Sequence, residues 1–318
     1  MDIKGRQTVA IVLDEPKRLS MRRLELPDPG PDEIVVDVEW SGISTGTEKL
    51  LWTGEMPPFP GMGYPLVPGY ETVGQVTEAG PQSTIGVGAR VFVPGARCFG
   101  DVRGLFGGAA SRLVVSSKRA VAIDRDLAEQ GVLLALAATA HHAILSPGAS
   151  IPELIVGHGV LGRLIARIAL AAGSPAPVVW ERNALRAAGA LGYTVVNPED
   201  DPRRDYKTIC DVSGDASVIN SLIARLAKTG EITLAGFYSA PVSFAFPPAF
   251  IKEARLRVAA EWTEPDLLAV RNLIESGKLS LDGLISHRNF ASHATEAYET
   301  AFSDPSCLKM ILDWRAHS

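Results

Sequence analysis

A glycine-rich run at residues 157–162, GHGVLG, has the spacing of a turn that binds a dinucleotide. In such turns the first glycine permits a tight bend, the second lets the backbone approach a pyrophosphate, and the third allows close packing of helix on strand. Apolar residues 154–156 precede the run and apolar residues at helical spacing follow it, so strand, turn and helix come in the required order. The residues expected to bind a cofactor here are Gly157, His158, Gly159, Val160, Leu161 and Gly162.

An acidic residue follows the next predicted strand. Glu181 ends the strand 177–180, about 20 residues beyond the glycines, where a carboxylate commonly meets the adenosine ribose hydroxyls. A carboxylate at this position would repel the 2′-phosphate of NADP, so the sequence favours NAD. The neighbouring Arg182 could partly compensate that repulsion, and Glu181 could also be only a solvated charge at a strand end.

Two further predicted strands, 208–214 and 231–237, end in loops. In doubly wound sheets, ligands bind outside the carboxyl ends of the strands. We therefore expect the nicotinamide end of the cofactor near Val212, Ser213, Gly236 and Phe237.

The elements that must position these residues indicate two kinds of domain. Up to about residue 120, short apolar runs separated by Gly and Pro predict an all-β domain, and the proline-rich stretch 56–65 predicts a long loop because proline removes ladder donors. From about residue 127, a helix at 128–145 and then alternating strands and helices predict a βαβ domain. Predicted strands of the first domain are 8–13, 34–40, 72–78, 90–94 and 111–115; the tail adds helices at 264–276 and 291–302 and a strand at 308–314.

This order of domains resembles the medium-chain dehydrogenase/reductase superfamily over nearly the whole chain. The resemblance implies an α/β fold with a GroES-like β-rich catalytic domain at residues 1–126 and a Rossmann doubly wound parallel sheet at 127–263. Residues 264–318 would return to the catalytic domain. The implied activity is that of an NAD-dependent alcohol dehydrogenase.

The zinc ligands of the superfamily have no counterparts in this sequence. In the run 40–48, WSGISTGTE, Ser44 takes the place of a Cys ligand, and in the run GYE at 69–71, Tyr70 takes the place of a His ligand. The third ligand position falls in 133–138, LLALAA, and only Cys98 lies where the superfamily's structural zinc has four cysteines. We therefore expect no metal.

Without zinc, a positioned general base must take the proton of the alcohol. Thr47 aligns with the hydroxyl that bonds the substrate alcohol in the superfamily, and Tyr70 could place a phenol nearby or merely pack. Glu71 could be a buried base or a structural acid paired with an arginine. His141 and His142, near the domain junction, are the remaining candidates, although either could be a satisfied core or cap histidine.

Residues 40–71 contain a long distinctive run that is similar to dehydrogenases of bacteriochlorophyll synthesis. This resemblance implies oxidation of the 3-hydroxyethyl group of a bacteriochlorophyllide to a 3-acetyl group, with NAD⁺ as hydride acceptor. A flat macrocycle requires a large and mostly apolar pocket. The expected pocket residues are Ser44, Trp52, Phe59, Met62, Tyr64 and Phe106, of which the aromatic and Met side chains could instead pack the β domain.

Composition restricts the partners of the protein. The net charge of −5 over 318 residues, without clusters of Lys or Arg, argues against a nucleic acid. No stretch approaches about 18 apolar residues, and no cleavable signal is recognisable, so a soluble cytoplasmic protein without a transmembrane segment is expected. The three widely spaced cysteines predict small buried side chains rather than disulfides.

Two other functions stay open at this point. The protein could be a zinc-independent quinone or enone reductase, which NADPH preference and quinone turnover would favour. It could also bind a nucleotide or a pigment without catalysis. A homodimer is expected because many relatives pair through the edge strands of their Rossmann domains.

Overall fold

A computed structural model describes residues 6–317 of the chain. Its strands are β1 (Arg6–Glu15), β2 (Arg18–Leu26), β3 (Glu33–Ile43), β4 (Leu66–Val67), β5 (Thr72–Ala79), β6 (Arg90–Val93), β7 (Arg103–Gly104), β8 (Arg112–Ser116), β9 (Val121–Ala122), β10 (Leu154–Val156), β11 (Val178–Trp180), β12 (Thr194–Val196), β13 (Tyr206–Asp211), β14 (Leu226–Leu234), β15 (Arg255–Val258), β16 (His287–Phe290) and β17 (Met310–Asp313). Its α-helices are α1 (Thr47–Thr53), α2 (Leu134–Leu145), α3 (Val160–Ala171), α4 (Ala184–Ala187), α5 (Ile219–Arg225), α6 (Phe246–Lys252), α7 (Glu264–Glu275) and α8 (Ala294–Ser303).

The chain forms two compact units. The first consists of the residues up to Ala135 together with those from Ile285 onward, and the second is Leu136–Leu284. Helix α7 therefore belongs to the second unit, whereas the predicted boundary at residue 264 assigned it to the returning segment. Leu267 and Val270 of α7 are buried, and Asp266 of α7 contacts His141 and His142 of α2, which belong to the same unit.

In the first unit, β3 lies at the centre of the larger sheet. This sheet follows the path β16-β17-β3-β5-β6-β9, with β8 also paired to β3, and a smaller sheet has the order β2-β1-β4-β7. Strand β17 runs antiparallel to β3, and Met310 pairs with Ile43. The returning C-terminal segment thus lies directly beside the end of β3. The first predicted site residue, Ser44, follows that end.

The second unit is a six-stranded parallel sheet with the order β12-β11-β10-β13-β14-β15. The order reverses beside β10: β11 and β12 follow on one side of it, and β13, β14 and β15 follow on the other. This is the doubly wound arrangement, which has its ligand crevice at the reversal. The predicted fold class is confirmed.

The predicted helix at 128–145 and strand β2 are two of the places where the structure differs from the predictions; β4, β7, β9 and β16 were not predicted either. The expected helix at 128–145 is interrupted: residues Arg125–Leu133 form 3-10 turns, within which Ala128 has a φ of 44°, and the α-helix begins only at Leu134. Strand β2 was not predicted because only Leu26 of its residues is buried, and because its sequence, RLSMRRLEL, has two short apolar alternations that are out of phase.

The proline-rich stretch 56–65 contains no strand, as predicted. None of the helices between residues 6 and 317 combines the length and the apolar character that crossing a bilayer requires.

Candidate active site

The first unit brings together hydroxyl side chains from two segments. Ser44 follows β3, and Tyr70 precedes β5, which pairs with β3. The hydroxyl oxygens of Ser44 and Tyr70 are 2.7 Å apart. Thr47, the first residue of α1, has its side chain near the phenol and lowers the pKa of Tyr70. We call Ser44, Thr47 and Tyr70 the hydroxyl cluster.

Gly69 makes the position of Tyr70 possible. Its φ is +93°, and a Cβ added there would lie 3.1 Å from the backbone nitrogen of Ala109. A larger residue is disfavoured at such a φ. The backbone conformation at position 69 therefore requires glycine whether or not a metal is bound.

The phenol of Tyr70 remains protonated at neutral pH. Desolvation raises the pKa of Tyr70 above its usual value, and the nearby Glu71 acts in the same direction, whereas the hydrogen bond with Ser44 and the nearby Thr47 side chain oppose them. The ring of Phe106 packs edge-on against Tyr70, with centroids 5.4 Å apart. A protonated phenol can both accept and donate, so the cluster can pass a proton along rather than store it.

Glu71 follows Tyr70 in the chain, and its side chain is fully buried. Lys309 Nζ donates to both of its carboxylate oxygens, at 2.9 and 2.7 Å. These contacts fit the alternative in which Glu71 is a structural acid, with a lysine rather than an arginine as its partner. Its role as a base stays a prediction.

Glu48 is a second buried acid, which the sequence did not single out as a site residue. Its carboxylate accepts hydrogen bonds from the Ser44 N–H at 2.9 Å and from the Tyr298 hydroxyl at 2.6 Å. Burial raises the pKa of Glu48 to about 7, although both hydrogen bonds oppose this. Glu48 therefore titrates near neutral pH directly beside Ser44.

The other expected pocket residues lie in different surroundings. Trp52, Met62 and Tyr64 pack against a small apolar cluster around Leu51 and Leu66, in agreement with the packing alternative. Phe59 is 38% exposed. Of the expected pocket residues, the structure brings only Ser44 and Phe106 to Tyr70. Binding of a macrocycle by Trp52, Phe59, Met62 and Tyr64 stays a prediction.

His141 and His142 lie in the second unit and share one carboxylate. The Nδ1 atoms of His141 and His142 are each 2.8 Å from an oxygen of Asp266. Burial alone would raise the pKa of Asp266, but hydrogen bonds from Thr263 and both histidines hold it well below its usual value. Each ring is thus bonded at Nδ1, which fits the cap or core alternative, and the catalytic role of both histidines stays a prediction.

The glycine run in the second unit forms the predicted strand–turn–helix. Gly157 follows β10 with a φ of +105°, and Gly159 is the N-cap of α3. A Cβ on Gly162 would lie 1.9 Å from the carbonyl oxygen of Gly157, so only glycine allows this packing. A Cβ on Gly159 would meet no atom within 4 Å, which leaves the backbone approachable.

The side chain of His158 belongs to the core of this turn. Its Nδ1 donates to the carbonyl oxygen of Arg186 at 2.6 Å, because a carbonyl can only accept, and its Nε2 accepts from the Tyr193 hydroxyl at 2.8 Å. Desolvation lowers the pKa of His158, in agreement with a neutral ring. Since the ring is fully buried, only the main chain of His158 is available in the turn.

Glu181 is held against the same turn. Its carboxylate accepts from the backbone N–H of His158 at 3.2 Å and of Asn183 at 2.8 Å. It is therefore more than a solvated charge. The adjacent Arg182 is exposed.

The expected nicotinamide-side residues gather at the carboxyl ends of β13 and β14. Val212 N–H donates to Val156 O at 3.0 Å, and Gly236 N–H donates to Asp211 O at 3.1 Å. Asp211, which the sequence reading missed, also accepts from Ser213 N–H and from the Tyr238 hydroxyl, at 2.9 and 2.6 Å. Phe237 is 51% exposed beside them.

Comparison with known proteins identifies the family. The model of the alcohol dehydrogenase GroES-like domain matches residues 30–125. The 2-desacetyl-2-hydroxyethyl bacteriochlorophyllide A dehydrogenase of Rhodobacter capsulatus is 59% identical over 97% of this chain and 99% of its own. The chain belongs to the medium-chain dehydrogenase/reductase superfamily.

Solved structures share the fold of this chain. An Escherichia coli CFT073 protein described as a short chain alcohol dehydrogenase, complexed with cofactor NADH, has a TM-score of 0.82 at 21% identity, covering 97% of this chain and 100% of that one. L-idonate 5-dehydrogenase of Escherichia coli K-12 gives 0.84 at 19% identity, with 97% and 98% covered. These likenesses show the fold, and the family membership makes the chain an alcohol oxidoreductase.

The donor atoms at the superfamily's metal position are unusual for zinc. Zinc in proteins is bound by Cys, His and carboxylate ligands, whereas Ser44 and Tyr70 offer neutral hydroxyls that bond each other. Among residues 6–317, no group of three or more His, Cys, Asp or Glu side chains is arranged to hold a metal ion. The three cysteines of the described chain are buried, as predicted, and form no disulfide.

Proposed function

We propose that this protein oxidises the hydroxyethyl side chain of a bacteriochlorophyllide to an acetyl group. The observation that carries the proposal is the 59% identity, over 97% of the chain, to a dehydrogenase whose name gives that substrate. The hydroxyl cluster and the glycine turn supply what such a reaction needs from the protein, namely a route for the alcohol proton and a site for a dinucleotide.

The glycine turn fits NAD. The positive φ of Gly157, the close approach of Gly162 and the open backbone at Gly159 are the features that a bound pyrophosphate requires. When bound, NAD⁺ would accept the hydride from the carbinol carbon. The residues that would hold it are Gly157, His158, Gly159, Val160, Leu161, Gly162, Glu181, Arg182, Val212, Ser213, Gly236 and Phe237.

A preference for NAD over NADP is also part of the proposal. The Glu181 carboxylate is fixed by two backbone N–H groups, so it cannot swing away easily from a ribose. An exposed Arg182 offers only weak compensation for a 2′-phosphate.

The hydroxyl cluster would handle the alcohol proton without zinc. As the C–H bond breaks and the carbonyl forms, the hydroxyl proton would pass to an oxygen of the cluster, and the Ser44–Tyr70 pair would give up one proton in exchange, with water as the final acceptor. A carbinol carbon on an electron-rich conjugated macrocycle can delocalise the positive charge that develops as hydride leaves. Less prior deprotonation is then required than for a simple alcohol.

The test is turnover of hydroxyethyl bacteriochlorophyllide with NAD⁺. We expect NADH to form in a one-to-one ratio with the acetyl product, followed by NADH absorbance and by the shifted pigment spectrum. Quinone reduction with NADPH but no pigment oxidation would favour a quinone reductase instead. Tight pigment binding with no turnover under either cofactor would favour a binding protein.

We also propose a homodimer formed through the second unit. Strand β15 is the last strand of the parallel sheet, and an edge strand presents backbone groups that another strand can pair. Around it, Val258, Ile251 and Phe250 are 76%, 71% and 68% exposed. Sedimentation should show a dimer that Val258→Lys converts to monomer; a wild-type monomer, or a dimer unaffected by this change, would contradict the proposal.

A further inference from the structure

Two buried acids stand next to members of the hydroxyl cluster in the sequence. Glu48 follows Thr47 and Glu71 follows Tyr70, and both acids have 0% exposure. A carboxylate removed from water is costly unless it is paired and hydrogen-bonded. For both acids, a partner comes from the C-terminal segment after residue 285: Tyr298 of α8 for Glu48, and Lys309 for Glu71.

Lys309 joins the two chain segments that carry the Ser44–Tyr70 pair. Besides the two oxygens of Glu71, its Nζ donates to the carbonyl oxygen of Ile43, at 3.2 Å. Ile43 precedes Ser44, and Glu71 follows Tyr70. The three ammonium protons thus connect Ile43, next to Ser44, and Glu71, next to Tyr70, to the same nitrogen atom. The Lys309 side chain is only 2% exposed.

Tyr298 is linked to the same cluster through Glu48. Its hydroxyl donates to one oxygen of Glu48, whose other oxygen accepts the N–H of Ser44. Gly42 of β3 leaves room for the carboxylate, since a Cβ on Gly42 would lie 2.1 Å from Glu71 Oε2. Any larger residue at position 42 would therefore displace Glu71 from this position.

We infer that Lys309 and Tyr298 are positioning residues for the reaction, which set the geometry of Ser44, Thr47 and Tyr70 through the two buried acids. The inference rests on the proposed function. The two residues touch no reacting atom; they act through Glu71 and Glu48. Misplacing reacting groups by about 1 Å can cost about 10²-fold in rate, so their loss should appear in kcat.

Tyr298→Phe leaves both acids in place and therefore tests positioning separately from the base role that is open for Glu71. The second test is the double substitution Glu71→Gln with Lys309→Met. It removes the positive and the negative charge together, so neither is left buried alone and folding is retained. We expect a melting temperature near that of the wild type and unchanged NADH affinity, but kcat with hydroxyethyl bacteriochlorophyllide lowered about 10–100-fold. Tyr298→Phe, which keeps the ring, should lower kcat about 10-fold, again without affecting NADH affinity.

Arg288→Met is the matched control in the same C-terminal segment. It removes an exposed ion pair with Glu129, away from the hydroxyl cluster, and should leave kcat unchanged. A double variant with wild-type kcat and KM would overturn the inference while leaving the proposed function intact. A wild-type enzyme with no turnover of the pigment would overturn both. A loss of kcat matched by an equal loss in Arg288→Met would show a general effect of the segment and would also overturn the inference.

Discussion

The two functional regions of this protein are built from different materials. In the second unit, the dinucleotide turn is made of backbone, and its shape depends on the positive φ of Gly157 and on the absence of a side chain at Gly162. In the first unit, the hydroxyl cluster is made of side chains, and its shape depends on buried acids with partners far away in sequence. A backbone site is therefore sensitive to added volume, whereas a side-chain site is sensitive to the loss of a charge or a hydrogen bond.

The largest expected effect comes from adding volume to the backbone site. Gly162→Val places a side chain where even a Cβ would lie 1.9 Å from the carbonyl oxygen of Gly157, so the turn cannot close. We expect NADH binding, measured by fluorescence titration, to be abolished. Gly159→Ala is the matched control: its methyl group meets no protein atom, so stability should stay at the wild-type level. Normal NADH binding by Gly162→Val would show that backbone shape does not determine the site.

Removing one charge from the side-chain site should be the next largest effect. Lys309→Met leaves Glu71 buried without its partner, which typically costs about 3–5 kcal/mol in the free energy of unfolding. Urea denaturation should show this loss, and protonation of Glu71 at lower pH should relieve part of it. Full recovery of stability is expected when Glu71→Gln is added. An equally stable single variant would mean that the ion pair is not a structural requirement.

The pH dependence of stability should report Glu48. Its folded pKa of about 7 lies above the ordinary value of 4.5, so the folded protein binds the proton more tightly than the unfolded chain. The stabilisation is complete below pH 4.5 and is lost as the pH rises through about 7, by about 3 kcal/mol. Glu48→Gln should remove this slope between those pH values. Parallel stability curves for the variant and the wild type would refute the assignment.

Tyr70→Phe should separate chemistry from cofactor binding. The change removes the phenol oxygen that lies 2.7 Å from Ser44 Oγ while keeping the ring beside Phe106. We expect kcat for pigment oxidation to fall about 10²-fold, with NADH affinity unchanged. Phe106→Leu, which removes only the edge contact, should change kcat far less. Equal effects of the two changes would point to packing rather than proton transfer.

The smallest expected effect concerns the choice of cofactor. Glu181→Ser removes the charge that would repel a 2′-phosphate and should raise kcat/KM for NADP⁺ about 10-fold relative to NAD⁺. Steady-state kinetics with both cofactors measure the ratio. An unchanged ratio would show that Glu181 does not select the cofactor and that its role is limited to its two backbone hydrogen bonds.

The same difference explains what could be predicted from the sequence. The glycine turn depends on residues close together in the chain, and strand, turn and helix are found where their spacing indicates. The segments of Ser44, Thr47 and Tyr70 were also recognised, because they stand at the superfamily's ligand positions. Lys309 and Tyr298 were not, since they lie 238 and 250 residues from the acids they bind. Burial of a lysine leaves no local pattern in a sequence.

Similar reasons account for the errors in the fold. Strand β2 is mostly half-buried, and its two short apolar alternations are out of phase, so no continuous pattern marks it. The predicted helix at 128–145 has apolar and small residues throughout, but its first part is interrupted at Ala128, and Gly131 packs tightly against Val73 and Ile123. Those tertiary contacts outweigh the helical propensity of the segment, and they cannot be predicted from residues that are neighbours in the sequence.

The central claim is that hydroxyl groups, rather than a metal ion, handle the alcohol proton. It is tested most directly by turnover of hydroxyethyl bacteriochlorophyllide with NAD⁺ after exhaustive chelation, with metal content measured on the same sample. The account predicts NADH formation at the untreated rate, and no increase on adding Zn²⁺. Activity that disappears on chelation and returns with stoichiometric Zn²⁺ would contradict it.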